Sequence, residues 1–390
     1  MRNKSRGRIT ILAAALTAVL ALSGCGRLSK PDPLPSSFEN LEDGKLKVAA
    51  SFYPMYDFAE KIGADQIDLI NLVPSGTEPH DWEPSASDLT NLEKADVFIY
   101  SGAGMEHWVD RVLNSLTNKN LTVVQASDGI TLRVNGSEEE DDHNHEDDDH
   151  DSHEDSSHDD SDHTHDDHHD DEDEHDHSDT DDHDDHVEDD HDHNHAHEIL
   201  ALQSHSHSGH SHDHEGGLDP HVWLNPEYAK KEMENIKNAF VSADPEHKDI
   251  YEANYQKYSA EFDQLDNDFR DTIAGLPNRE IVVAHEAYGY LCDAYGLTQI
   301  GIEGLTPDSE PTPRRMARII DFVRAHHVKV IFFEALTSSK SADTVAAETG
   351  ITTAVLNPLE GLSADEIEAG SDYLSVMREN LAALSNALSQ

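Results

Sequence analysis

Leu46–Val73 reads LKVAASFYPMYDFAEKIGADQIDLINLV, and its hydrophobic pattern changes twice. Leu46–Ser51 is a short apolar run of strand type, Tyr53–Ile62 has helical spacing, and Ile67–Val73 is again strand-like. The same alternation continues with a helix at Ser87–Lys94 after Pro84 and Ser85, a strand at Ala95–Ser101, a helix at Glu106–Leu116 and a strand at Leu121–Gln125. Strands that are apolar on both faces and alternate with helices predict a parallel sheet covered on two sides. The pattern stops at Gly136 and resumes at about Gly216.

Two helical stretches follow, Tyr228–Phe240 and, past Pro245, His247 to about Ile273. A helix of some 25 residues is close to 40 Å long, unusual inside one compact domain. The alternation then restarts: strand Ile281–Ala284, helix Tyr288–Tyr295, strand Thr298–Ile302, helix Pro313–His326, strand Val328–Phe333. A helix at Ser341–Thr349, a strand at Thr352–Leu356 and a terminal helix Ser363–Leu388 complete it. The fold class is α/β: two similar lobes with parallel sheets, residues 46–245 and 278–390, joined by one long helix over 246–277. Open α/β sheets bind ligands outside the carboxyl ends of their strands, so the site is expected in the cleft between the lobes.

Upstream, Arg2, Lys4, Arg6 and Arg8 precede an apolar run from Ile9 to Leu22. Fourteen residues at about 1.5 Å each are too short for a hydrocarbon core of roughly 30 Å, so residues 1–24 read as a signal peptide. Its end, Leu22-Ser23-Gly24-Cys25, resembles the lipobox of bacterial lipoproteins, which implies cleavage before Cys25 and lipid on its sulfur. Gly26–Asp43, rich in Pro, Ser and acidic residues, reads as a flexible tether within 25–45. The only other cysteine, Cys292, is expected to pack as a small buried hydrophobe.

The formal charge is −54, and residues 138–214 hold 34 Asp or Glu, 22 of the 29 His and no Lys or Arg. Without them the charge is −20, and no basic face remains to neutralise nucleic-acid phosphates. This insert cannot bury enough apolar surface to fold. Short spacings such as His205-Ser206-His207 and His210-Ser211-His212-Asp213-His214 read as auxiliary metal binding.

Seven histidines lie outside the insert, and His80, His221 and His285 follow strands or sit in loops closing on strand ends. Pro79 and Pro220 stiffen the backbone beside the first two, which suits preorganised ligands. Imidazoles suit zinc, copper, nickel and iron, and three neutral histidines plus a fourth light donor match tetrahedral Zn²⁺. Geometry of this kind serves binding and hydrolysis alike. A zinc hydrolase is opposed by the absence of His-Glu-x-x-His, Gly-x-Ser-x-Gly or a phosphate-cradling glycine loop, with only Glu286 to offer as a base. His107, His247, His326 and His327 have structural readings at helix ends.

Pro79-His80-Asp81-Trp82-Glu83-Pro84, Asp219-Pro220-His221-Val222-Trp223-Leu224-Asn225-Pro226 and Ala284-His285-Glu286-Ala287-Tyr288-Gly289-Tyr290 resemble segments of the cluster A-I (cluster 9) metal-binding proteins. These are extracytoplasmic solute receptors of bacterial ABC importers for zinc and manganese, and the resemblance runs from about Leu46 to Leu388. It implies two α/β lobes joined by a long rigid helix, with His80, His221 and His285 as the first three ligands. Histidine at the third position is the zinc-type choice. The fourth position falls on Asn357, where the family commonly has Asp, so the fourth donor is Asn357, a water or a carboxylate such as Glu78. Glu334, ending a strand near the cleft, takes a supporting role.

The expectation is a monomeric, exported receptor anchored by lipid to the outer face of the bacterial cytoplasmic membrane, periplasmic or on the cell surface. It captures Zn²⁺ for an ABC permease and does no covalent chemistry. The histidine-rich insert gathers further zinc. The alternatives are a receptor for manganese or another divalent metal, and a surface adhesin.

Overall fold

A computed structural model describes residues 33–38, 44–134, 217–306 and 311–390. The first lobe runs β1 (Leu46–Ala50), α1 (Tyr53–Gly63), β2 (Ile67–Asn71), α2 (Ala86–Lys94), β3 (Val97–Tyr100), α3 (Val109–Ser115), β4 (Thr122–Gln125) and α4 (Pro226–Ala243). The long helix α5 (Lys248–Ala274) follows. The second lobe is β5 (Glu280–Val283), α6 (Gly289–Tyr295), β6 (Thr298–Gly301), α7 (Pro313–Ala325), β7 (Val330–Phe333), α8 (Lys340–Thr349), β8 (Thr352–Val355), α9 (Ala364–Glu368) and α10 (Tyr373–Leu388).

Each lobe has one four-stranded sheet, ordered β2-β1-β3-β4 in the first and β6-β5-β7-β8 in the second. Every pairing is parallel; Val48 stands between Leu69 and Val97, and Val282 between Ile300 and Ile331. The two orders are equivalent, with the first strand of each lobe inside and the reversal of direction beside it. That reversal opens the crevice where ligands of such sheets bind.

The 27 residues of α5 make a rod of about 40 Å, as the sequence predicts. It does more than join. Phe262 of α5 packs against Phe58 of α1 at 5.8 Å and stacks on Tyr373 of α10 at 5.1 Å, while Phe58 and Tyr373 meet directly at 5.1 Å. One hydrophobic core therefore runs through both lobes. Burying such rings is worth about 1.5–3 kcal/mol each, which holds the lobes together independently of any ligand. Polar ties reinforce it: Lys61 of α1 meets Asp372 at 2.9 Å, and Tyr373 Oη donates to the Trp223 carbonyl at 2.6 Å.

Two expectations are corrected. Within the stretch read as a tether, residues 33–38 pack onto the first lobe. Leu34 and Phe38 are buried, the Pro35 carbonyl accepts the Asn71 N–H at 2.8 Å, and the Ser36 carbonyl accepts from Asn91. β2 is an edge strand whose end needs a backbone partner, and two apolar side chains supply the burial. The terminal helix is two helices. Gly370 takes φ +84° and ends α9, and Asp372 caps α10 through a mutual bond pair with Ser375. The signal peptide, Cys25 and the insert 138–214 lie outside the described residues. No described helix is long and apolar enough to cross a membrane.

Candidate metal centre

The loop after β2 carries His80. Its chain is turned by Gly76 at φ +73°, whose N–H bonds the Leu362 carbonyl of the other lobe at 2.9 Å. His221 sits in the segment entering α4. There Asn225 caps the helix by accepting the Glu227 N–H, and Pro226 occupies the first turn, where a missing N–H costs nothing. Trp223 of the same segment donates its indole N–H to the Pro358 carbonyl at 2.7 Å. His285 follows β5 after Ala284.

These three histidines converge, and their fourth neighbour is Glu360. The Glu360 Oε1 lies 2.9 Å from His221 Nε2, 3.3 Å from His80 Nε2 and 3.7 Å from His285 Nδ1, and the two Nε2 atoms are 3.3 Å apart. Four donors placed tetrahedrally at 2.0–2.1 Å from one ion stand about 3.3–3.4 Å from each other. These four of the six separations bracket that value, and all donor atoms lie within 4.8 Å of one another, compatible with an ion of zinc size. His221, His285 and Glu360 are buried, and His80 is nearly so.

Asn357 is not among the four. Its Oδ1 accepts the Leu359 N–H at 2.8 Å, while its own N–H and carbonyl bond the Asn380 side chain at 2.8 and 2.7 Å. It is a turn builder. Leu359, in the left-handed region at φ 60°, completes the turn and brings round Glu360. Glu360, the carboxylate beside the three histidines, stands three residues beyond Asn357. The available signal was a carboxylate in the strand-end loop that already held the expected position. Glu78, the other carboxylate the sequence offers, lies outside the cluster of four. It accepts the His80 backbone N–H at 2.9 Å, and burial, then Glu360, pushes its carboxyl up to about 9.

Outer partners fix the rings. Asp219 Oδ1 accepts from His221 Nδ1 at 2.9 Å, leaving Nε2 toward the other donors. Glu334 bonds His285 Nδ1 at 2.7 Å, and the Leu305 carbonyl accepts from Nε2 at 2.7 Å. Burial opposes charge on His285, but Glu360 and then Glu334 outweigh it and raise its pKa to about 10. His80 shifts the other way, lowered chiefly by burial. Glu360 is held well below the usual carboxylate range despite its burial, through His285 and its bonds from His221 and His80.

The remaining histidines with polar partners sit elsewhere: His107 on Glu83, His247 on Asp244 and His326 on Glu280. Glu286, the one base on offer for hydrolysis, pairs with Arg315 at 2.8 Å. Cys292 is buried, as expected.

Two parallel-sheet lobes around an enclosed cluster of three imidazoles and a carboxylate define a two-lobed binding protein with a metal-ligating centre. Residues 48–387 match the family described as ZnuA, zinc-uptake complex component A, periplasmic, and the chain belongs to that family. It is 37% identical over 369 residues to the high-affinity zinc uptake system protein ZnuA of Bacillus subtilis, covering 95% of this chain and 94% of that protein. The crystal structure of the metal-dependent lipoprotein YcdH from Bacillus subtilis is similar at 34% identity and TM-score 0.63, covering 89% of this chain and all of that one. The Zn(II)-bound ZnuA-like domain of Streptococcus pneumoniae AdcA is similar at 28% identity and TM-score 0.62, with the same coverage.

Proposed function

We propose that the protein is the extracytoplasmic zinc receptor of a bacterial uptake system, holding one Zn²⁺ with His80, His221, His285 and Glu360 and passing it to an ABC permease. The observation that carries this reading is the donor set itself: three imidazole nitrogens and one carboxylate oxygen, enclosed and spaced for a tetrahedral ion. Family membership and the zinc-named relatives support the same ion. Imidazole-rich donors favour zinc over manganese, which prefers oxygen. The protein acts as a carrier, a reading supported by its family and by the engagement of Glu286, the base the sequence offers, with Arg315.

Binding must expel the proton held between His285 and Glu334, because only the neutral ring donates to a metal. Transfer to the permease requires the Glu360 loop or a ligand loop to move, because the core shared between the lobes resists their separation. The chain acts as a monomer tethered through lipid on Cys25, and the tether is supported by the lipobox-like Leu22–Cys25 and by the likeness to the metal-dependent lipoprotein YcdH. Residues 46–245, 246–277 and 278–390 serve as first lobe, linking helix and second lobe. His205, His207, His210, His212 and His214, within 138–214, gather further zinc weakly and exchangeably, as their spacing suggests.

Metal analysis of the purified protein, with zinc and manganese in competition, tests the assignment. One tightly held zinc, lost in His285→Ala, is expected; tight manganese, or an intact zinc site without His285, overturns it. Deleting 138–214 is expected to leave the tight site and lower total zinc. Unchanged stoichiometry in equilibrium dialysis removes the auxiliary role.

A further inference from the structure

His221 is held by a carboxylate that is only half satisfied. Asp219 Oδ1 takes the His221 ring Nδ1 at 2.9 Å and its backbone N–H at 3.1 Å. The other oxygen, Oδ2, is buried and has no hydrogen-bond donor among the described residues. Such an oxygen is expensive without compensation. The cation facing it is Arg133, with Nη1 at 3.8 Å.

Arg133 is also where the lobes are tied. Its Nε donates to Asp293 Oδ2 at 3.0 Å, and its backbone N–H donates to the Tyr290 hydroxyl at 2.8 Å. That hydroxyl donates onward to the Asp219 carbonyl at 3.0 Å, and the Asp219 N–H returns to the Arg133 carbonyl at 2.9 Å. Asp293 and Tyr290 belong to α6 of the second lobe, Arg133 and Asp219 to the first. α6 begins with Gly289 at this spot. A Cβ there would stand 2.5 Å from Asp219 Oδ2 and 2.7 Å from Arg133 Nη1, so the close seat requires glycine.

We propose that Arg133 is a positioning residue that couples the contact between the lobes to the zinc ligand His221, and so sets how fast zinc leaves. The proposal rests on the zinc-receptor reading above. Without the guanidinium, Asp219 is released to turn its oxygens toward other donors, and the imidazole loses its fixed direction. All four donors remain, so capture is preserved while the bound lifetime shortens. Because Asp293 is exposed, a change on the outer face of α6 reaches the ligand through three contacts, Asp293 to Arg133, Arg133 to Asp219 and Asp219 to His221.

The test uses the full protein loaded with zinc and mixed rapidly with excess chelator, with association followed separately. Arg133→Met is expected to speed release about tenfold or more while association stays within about twofold. It is also expected to alter the ligand-field absorption of the cobalt-loaded protein. Arg133→Lys is expected to recover most of the lifetime, and Asp293→Asn to speed release in the same direction by less. Wild-type release from Arg133→Met, or slowed association with release unchanged, overturns the proposal. If that variant does not fold, wild-type release from Asp293→Asn overturns it instead. A wild-type protein that holds no zinc overturns the receptor reading, a distinguishable failure.

Discussion

The two lobes share one strand order but bring different chemistry to the centre. The first supplies two imidazoles on proline-stiffened loops, His80, whose pKa burial lowers, and His221, whose pKa Asp219 and Glu360 raise against its burial. The second supplies charge: Glu360 stays anionic, and His285 is protonated against Glu334. A divalent ion entering this site meets one ring held toward its neutral form, His80, and competes with protons at His221 and His285, whose pKa values are both raised.

The sharpest way to break that comparison is Glu360→Ala, which removes the charged donor. Zinc affinity is expected to fall by more than about a hundredfold, above the usual cost of losing an outer-shell partner. Competition against a chelator of known strength measures it. Asn357→Ala should fall far short of that in affinity, and equal losses would show that the turn and not the carboxylate carries the site.

Glu334→Gln tests the proton exchange and is expected to cost about tenfold in affinity. In the wild type, zinc displaces the His285 proton, so affinity should rise with pH up to about 10 and protons should be released at neutral pH. In the metal-free protein the sign is opposite. The folded pKa of His285 lies above its ordinary 6.5, so the ion pair stabilises fully below about 6.5 and its contribution disappears as pH rises through about 10. Calorimetry in buffers of different ionisation enthalpy counts the protons; equal heats after buffer correction for zero protons would refute the exchange.

Smaller effects separate scaffold from site. Asn357→Ala removes bonds to a buried turn and should cost about 1–3 kcal/mol in unfolding free energy. Gly370→Ala, at φ +84° between α9 and α10, should cost about 1 kcal/mol with zinc binding unchanged. Denaturant melts of the metal-free protein check both.

The three histidines were legible because His285 stands near a strand end and the loop residues His80 and His221 are flanked by proline, which are local signals. Both sheets were legible for the same reason: strands apolar on both faces alternate with helices. Glu360 was not, since its place depends on a left-handed Leu359 and on Asn380, 23 positions beyond Asn357. The shared core was equally hidden. Phe58, Phe262 and Tyr373 are far apart in sequence, and each reads only as one more apolar position on its own helix. Periodicity reports which face of an element is buried and says nothing of which distant element buries it.

Residues 33–38, docked along β2, alter the geometry of the proposed anchor. With Cys25 in the bilayer surface, only residues 26–32 remain to span the gap. Seven residues reach at most about 25 Å in any conformation, against about 70 Å had all of 26–45 been free. Energy transfer from labelled lipid to a dye on the first lobe would expose a longer leash. With the anchor proposed above, so short a leash would confine the receptor to a thin layer at the membrane, keeping its cargo within a few nanometres of the bilayer.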